Sequence, residues 1–251
     1  MLETIDLDTI CDIAKKAAKE IMKIYKKDLS VEFKKDNSPL TEADLKANLI
    51  ICEELQKLYP NIPILSEENT NVEYEIRKNW EYYWCIDPID GTKEFIKKNG
   101  EFTINIGLIH NKTPVLGVVY APALDMLYYA KKNKGAYKNG KKLPLYINKN
   151  PKEKLVVATS KSHQTSETSK YIDSLKTIKK TILTKGSSLK LCMVAEGVAD
   201  IYPRLSPTME WDTAAADTVV REAGKMTYQF DLEEPVVYNK ENLLNPWFVV
   251  R

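Results

Sequence analysis

The sequence predicts a mixed protein in two parts, α+β to about residue 147 and α/β from there to the end. Three observations carry this. Two segments before residue 60 repeat apolar residues at helical spacing. Short apolar runs between residues 62 and 130 read as a strand meander, and from residue 155 strands and helices alternate.

Residues 5–27 place Ile10, Ile13, Ala14, Ala17, Ile21, Ile24 and Tyr25 on one helical face. A polar loop, Lys34 to Leu40, follows. A second helix is expected from Thr41, with Leu45, Leu49, Cys52, Leu55 and Leu58 as its apolar face. It stops at Tyr59-Pro60, because the residue before a proline disfavours helix. Ile62–Leu65 and Tyr82–Ile86 are short apolar runs, each leading straight into acidic residues. Phe102, Ile104, Ile106 and Leu108 alternate with Thr103, Asn105 and Gly107, the pattern of a half-buried strand. Val115–Tyr120 and Met126–Ala130 extend the meander, and Asn139-Gly140 marks a tight turn. In the second part Leu155–Thr159, Thr177–Lys185 and Ala199–Tyr202 read as strands. Ser166–Leu175, Ser188–Glu196 and Asp212–Ala223 read as helices, the last ended by Gly224.

Composition narrows the chemistry. A net charge of +2 argues against a nucleic-acid binder with a broad basic face, although 33 of the 37 basic residues are lysine. No apolar run approaches the roughly 20 residues of a membrane helix. Met1–Asp12 lacks the basic and apolar segments of a signal peptide, so a cytoplasmic location is expected. Cys11, Cys52, Cys85 and Cys192 are widely spaced and read as small buried thiols. With only His110 and His163, a histidine-rich zinc site cannot be built. Any metal must therefore have oxygen ligands, which selects Mg²⁺, Mn²⁺ or Ca²⁺.

The acidic residues supply such ligands. Asp87-Pro88-Ile89-Asp90-Gly91-Thr92 follows the run Tyr82–Ile86 directly, and Pro88 and Gly91 are expected to curl the chain so that Asp87 and Asp90 converge. Carboxylates held that close repel unless a cation sits between them. Ser66-Glu67-Glu68 ends an earlier strand in the same way, and Trp211-Asp212-Thr213 opens a helix. Each feature has a plainer reading: Asp212 as a helix cap, Glu67 as a solvated charge, Asp90-Gly91 as a turn. Together they favour a metal cage. Gly91 and Thr92 then open a helical turn, Lys93–Lys97, whose free amides suit a phosphate oxygen.

The motifs S-E-E, D-P-I-D-G-T and W-D-T-A-A, in this order along nearly the whole chain, resemble those of the inositol monophosphatase superfamily of lithium-sensitive, Mg²⁺-dependent phosphatases. The resemblance implies a layered α-β-α-β-α sandwich of the inositol monophosphatase and fructose bisphosphatase type. It implies two or three Mg²⁺ ions held by Glu67, Asp87, the carbonyl of Ile89, Asp90 and Asp212. It also implies a hydrogen bond from Thr92 to Asp44, whose Thr41-Glu42-Ala43-Asp44 setting otherwise reads as a capping-box variant. Asp44, Glu67 and Thr92 would orient a water that attacks phosphorus directly. Asp90, Gly91, Thr92 and Asp212 would touch the substrate.

Finer motifs bear on the substrate. Lys93-Glu94-Phe95 with Asn99-Gly100-Glu101-Phe102-Thr103, Ser160-Lys161-Ser162-His163 and Gly186-Ser187-Ser188-Leu189-Lys190 resemble the CysQ-type 3'(2'),5'-bisphosphate nucleotidases. So do Tyr202-Pro203-Arg204 and Pro207-Thr208. Those enzymes remove the 3'-phosphate of adenosine 3',5'-bisphosphate, a by-product of sulfate activation. The resemblance adds Ser160, His163, Ser187 and Lys190 as substrate contacts, and leaves Arg204 either a contact or a loop residue. The expected partner is thus a small nucleotide bisphosphate, neither nucleic acid nor membrane. Inositol monophosphatase or fructose bisphosphatase activity is the near alternative, and a catalytically silent nucleotide sensor the distant one.

Overall fold

The computed structural model describes residues 1–27, 31–33, 39–160 and 165–251. In chain order the elements are α1 (Leu7–Tyr25), β1 (Val31–Phe33), β2 (Pro39–Thr41), α2 (Glu42–Leu58), β3 (Ile64–Ser66), α3 (Tyr74–Arg77), β4 (Tyr82–Asp90) and α4 (Thr92–Ile96). The meander β5 (Thr103–His110), β6 (Thr113–Ala121), β7 (Met126–Lys131), β8 (Gly135–Lys138) and β9 (Lys141–Lys142) comes next. There follow β10 (Lys154–Ser160), α5 (Ser166–Ser174), β11 (Lys179–Lys185), α6 (Leu189–Glu196), β12 (Tyr202–Arg204), α7 (Glu210–Glu222), β13 (Thr227–Gln229) and β14 (Phe248–Val250). Of the expected loop 34–40, residues 34–38 lie outside the described residues, and Pro39–Leu40 belong to β2 rather than to a loop.

A seven-stranded sheet in the order β3-β4-β5-β6-β7-β8-β9 forms the larger layer; β3 is parallel to β4 and every later pair is antiparallel. Helices α1 and α2 pack together on one face and α7 lies across the other. After the meander, β10 pairs in parallel with β11, and β12-β14-β13 is antiparallel. A parallel bridge between Val157 and Ile201 links the two groups. Helix α6 packs on α7, and α5 covers the far side through Ile172 against Val157, Ile201 and Val249. The layers are therefore helix, sheet, helix, sheet, helix, the sandwich the sequence resemblance implied.

Further expectations need correction, among them the strand expected at Ala199–Tyr202, which begins only at Tyr202. The strand at residues 102–108 is not half-buried: β5 runs from Thr103, and all its residues to Ile109 are buried. Ile104, Ile106 and Leu108 join the core beneath α1 and α2, whereas Gly107 meets α7 on the opposite face. Helices on both faces leave the sheet no solvated side. Another correction concerns α2, which buries Ala43, Asp44, Ala47, Ile51 and Leu55, while Leu45 and Leu49 are 52% and 55% exposed. Of the two apolar stripes, the inward one carries small residues, which suits close packing on Ala14, Ala17 and Ala18 of α1. It also carries Asp44 inward.

The glycines at 107 and 117 set the depth of α7. A Cβ on Gly107 would stand 3.1 Å from the Ala215 amide, and one on Gly117 only 2.1 Å from the Ala215 carbonyl oxygen. The helix presents Ala214, Ala215 and Ala216, all buried, so small residues face small residues and the backbones approach closely. The first turn of α7, with Asp212, is held at that depth.

Candidate active site

Strand β4 does not stop at Ile86 but continues to Asp90, with a register shift against β5 between Asp87 and Asp90. Such a bulge re-aims side chains at a sheet rim. Gly91 follows in the left-handed conformation at φ +89° and starts α4. A side chain there would be strained and would meet Ser187 Cβ and the Glu101 carbonyl at 3.3 Å. The Thr92 hydroxyl lies 3.2 Å from Asp44 Oδ1 and 3.3 Å from the Ile89 carbonyl, two acceptors for its one proton. Asp44 is 2% exposed, so the start of α2 and the D-G-T turn meet inside the protein.

A cleft of about 280 Å³ opens at this point. Glu67, Asp90, Gly91, Thr92, Ser160, Ser187, Lys190 and Asp212 line it, which brings together eight of the expected site residues. Asp87 and Ile89 lie behind the wall, each 1% exposed. His163 lies outside the described residues. Asp212 sits in the first turn of α7, where its Oδ2 accepts a hydrogen bond from the Met209 amide at 2.9 Å. Capping and cleft-lining are thus compatible roles.

The electrostatics are those of crowded acids. Burial first, then Glu67, Asp90 and Asp212, holds the Asp87 carboxyl well above the usual carboxylate range. Desolvation and neighbouring acids push Asp212 up to about 8. Asp90 is pushed up to about 6 by desolvation, opposed by the Lys190 ammonium and a hydrogen bond from the Ser188 amide. Among the described residues no three acidic, histidine or cysteine side chains form a finished metal cage. The acids nevertheless fit a cation better than any other occupant. Asp87 Oδ1 is fully buried without a hydrogen-bond partner, and a buried carboxylate oxygen left so is costly unless a positive charge meets it. The donors are oxygens throughout, as a hard divalent ion requires.

The same cleft also carries cationic and hydroxyl groups. Lys190 is buried, and its ammonium donates to the carbonyls of Ser187 at 2.5 Å and Lys185 at 3.2 Å. Burial pushes it down to about 8 even though Asp90 favours its charge. Arg204, at the end of β12, also lines the cleft, its Nη2 on the Pro207 carbonyl at 3.1 Å and its Nε buried without a partner. Glu94, Ser188, Tyr202 and Phe248 also line the cleft. The first three stand in noticed motifs without having been singled out, and nothing in its sequence setting marks Phe248.

Comparison with known proteins identifies the family. Residues 4–246 match the inositol monophosphatase family. The chain belongs to that family. It is 43% identical over 246 residues, 97% of this chain and 98% of the relative, to a Salmonella typhimurium protein named 3'(2'),5'-bisphosphate nucleotidase CysQ. The protein of that name from Aggregatibacter actinomycetemcomitans is 37% identical over 253 residues, covering 100% of this chain and 94% of its own. Among solved structures, CysQ of Bacteroides thetaiotaomicron superposes with a TM-score of 0.88 at 43% identity, covering 98% of this chain and 96% of that one. An inositol monophosphatase of Thermotoga maritima gives 0.79 at 29% identity over 97% and 91% of the two chains. Members of one family on one fold, these proteins share the frame in which the acids stand.

Proposed function

We propose that the protein is a Mg²⁺-dependent phosphomonoesterase that removes the 3'-phosphate of adenosine 3',5'-bisphosphate to give AMP. One observation carries the choice of a bisphosphate: besides the acids Glu67, Asp90 and Asp212, the same cleft is lined by Lys190, Arg204, Ser160 and Ser187, more anion-binding groups than one phosphate needs. The acids would hold a cation and, with it, one phosphate, while the basic and hydroxyl groups suit a further anionic group of the substrate. The names of the relatives support the same substrate.

Glu67, Asp87, the Ile89 carbonyl, Asp90 and Asp212 would hold two or three Mg²⁺ ions. When bound, these would offset the charge of the phosphate dianion and lower the pKa of a bound water towards neutrality. The chain's own residues do the rest. Thr92, in contact with Asp44, presents its hydroxyl oxygen to the attacking water, and Glu67 accepts a hydrogen bond from it. The amides of Gly91 and Thr92 would face the phosphate oxygens and hold the group in place during transfer. No side chain is asked to become phosphorylated.

Phosphate release from adenosine 3',5'-bisphosphate, inositol 1-phosphate and fructose 1,6-bisphosphate, with Mg²⁺ and with excess chelator, tests the reading. The expected result is highest kcat/KM on the nucleotide and none in chelator. A preference for inositol 1-phosphate would overturn the substrate, and full activity in chelator the metal.

A further inference from the structure

Two motifs, N-G-E-F-T at 99–103 and G-S-S-L-K at 186–190, are left without a joint explanation by this chemistry. The structure ties them together. Gly186 donates its amide to Glu101 Oε2 at 2.9 Å, and Lys185 donates its ammonium to Oε1 at 2.8 Å. Thr103 Oγ1 lies 3.0 Å from Ser187 Oγ and 2.9 Å from Ser188 Oγ, and Ser188 Oγ donates to Asn105 Oδ1 at 3.0 Å. Each hydroxyl has one proton, so the chain of donation runs Ser187 to Thr103 to Ser188 to Asn105.

The fit is close as well as bonded. A Cβ on Gly186 would stand 2.7 Å from the Glu101 carbonyl oxygen and 2.8 Å from Glu94 Cγ. Ser187 next to it is left-handed at φ +47°, a conformation that a non-glycine residue keeps only when its surroundings hold it. Glu101 and Thr103 hold the turn from β5's side, and the Lys190 ammonium holds it from within through the Lys185 and Ser187 carbonyls. The turn in turn supplies Ser187, Ser188 and Lys190 to the cleft wall.

We propose that Glu101 is a positioning residue for substrate: by fixing the 185–188 turn it sets Ser187, Ser188 and Lys190 against the part of the substrate beyond the scissile phosphate. This rests on the bisphosphate reading above. The decisive contact is the charge-assisted bond from Gly186, since the ion pair with Lys185, whose side chain is 36% exposed, contributes little. A glutamine at 101 keeps an oxygen for the Gly186 amide; an alanine does not.

Glu101→Ala and Glu101→Gln are compared with wild type in kcat and KM, in thermal stability and in hydrogen exchange of the 186–188 amides. For Glu101→Ala, KM for adenosine 3',5'-bisphosphate should rise about tenfold with kcat within about threefold, the scale of one charge-assisted bond. Its 186–188 amides should exchange faster, and Glu101→Gln should restore KM to within about threefold of wild type. Unchanged KM in Glu101→Ala, with only a lower melting temperature, would reduce Glu101 to a structural role and overturn the proposal. So would unchanged exchange at 186–188. A wild type inert towards the bisphosphate would defeat the substrate reading alone. The KM for whichever monoester of the panel it hydrolyses, with the exchange data, then decides Glu101.

Discussion

Asp87 shows what a single side chain is kept for. Its carboxyl is buried, one oxygen has no hydrogen-bond partner, and burial first, then three neighbouring acids, hold its pKa well above normal. Such a group works against stability and in favour of cation binding. Asp87→Asn should therefore lower phosphate release by at least about 10²–10³-fold, the scale for one preorganised electrostatic group. In chelator near neutral pH it should unfold at an equal or higher temperature than wild type. Near-normal turnover at saturating Mg²⁺ would remove Asp87 from the metal centre. This residue was legible because the six residues of D-P-I-D-G-T carry their own geometry, a bulge and a left-handed glycine within a few bonds of the acids. Glu210 was not. It is wholly buried beside W-D and accepts from the amides of Asn239 at 2.7 Å and Lys240 at 3.0 Å, and from the Tyr83 hydroxyl at 3.2 Å. Those partners come from distant parts of the chain, and no local pattern announces them. Arg204 is a middle case, noticed for its rarity but placed only by the fold.

At the scale of elements, helix α7 shows how packing positions chemistry. It rests on β5 and β6 through glycines, and Asn245 ties its first turn by donating to the Met209 carbonyl at 2.7 Å and to Thr213 Oγ1 at 3.1 Å. Gly117→Ala would put a methyl group 2.1 Å from the Ala215 carbonyl oxygen, which is backbone and cannot swing aside. The helix must lift or the sheet must bend. A loss of roughly 1–3 kcal/mol in stability is expected, as for overpacking of a close-packed core. Activity should fall beyond what unfolding explains, because Asp212 moves with its helix. Denaturant unfolding and turnover of the folded fraction measure the two separately, and an unchanged midpoint would refute the close approach. Element order and type were readable from periodicity over most of the chain, since long amphipathic runs are short-range information. The face of α2 was not, because two stripes compete within one helix and only the partner helix chooses. Nor was the burial of β5 on both sides, because alternation reports the polarity of a face and not what covers it.

At the scale of the molecule, the acids of the site couple folding to pH and to metal. A carboxyl whose pKa is raised on folding favours the folded state while protonated. That contribution is full below the unfolded value of 3.8 and is lost as pH rises through the folded value, about 6 for Asp90 and about 8 for Asp212. Asp87 is shifted in the same direction. Lys190, pushed down from 10.5 to about 8, has the opposite sign, and its contribution returns only above that value. Between about pH 4 and 8 the acids therefore dominate, and in chelator the melting temperature should fall across this window. A divalent cation binds the ionised acids and displaces their remaining protons, so its stabilisation should grow as pH rises. Thermal unfolding in chelator and in saturating Mg²⁺, at about pH 5.5 and about pH 8, checks both statements. The expected outcome is a Mg²⁺ increment clearly larger at the higher pH. An increment equal at both would mean that carboxyls with raised pKa values are not what the cation binds. In Asp87→Asn the increment should shrink most at about pH 8, because the variant has already lost one of the charges that Mg²⁺ would compensate.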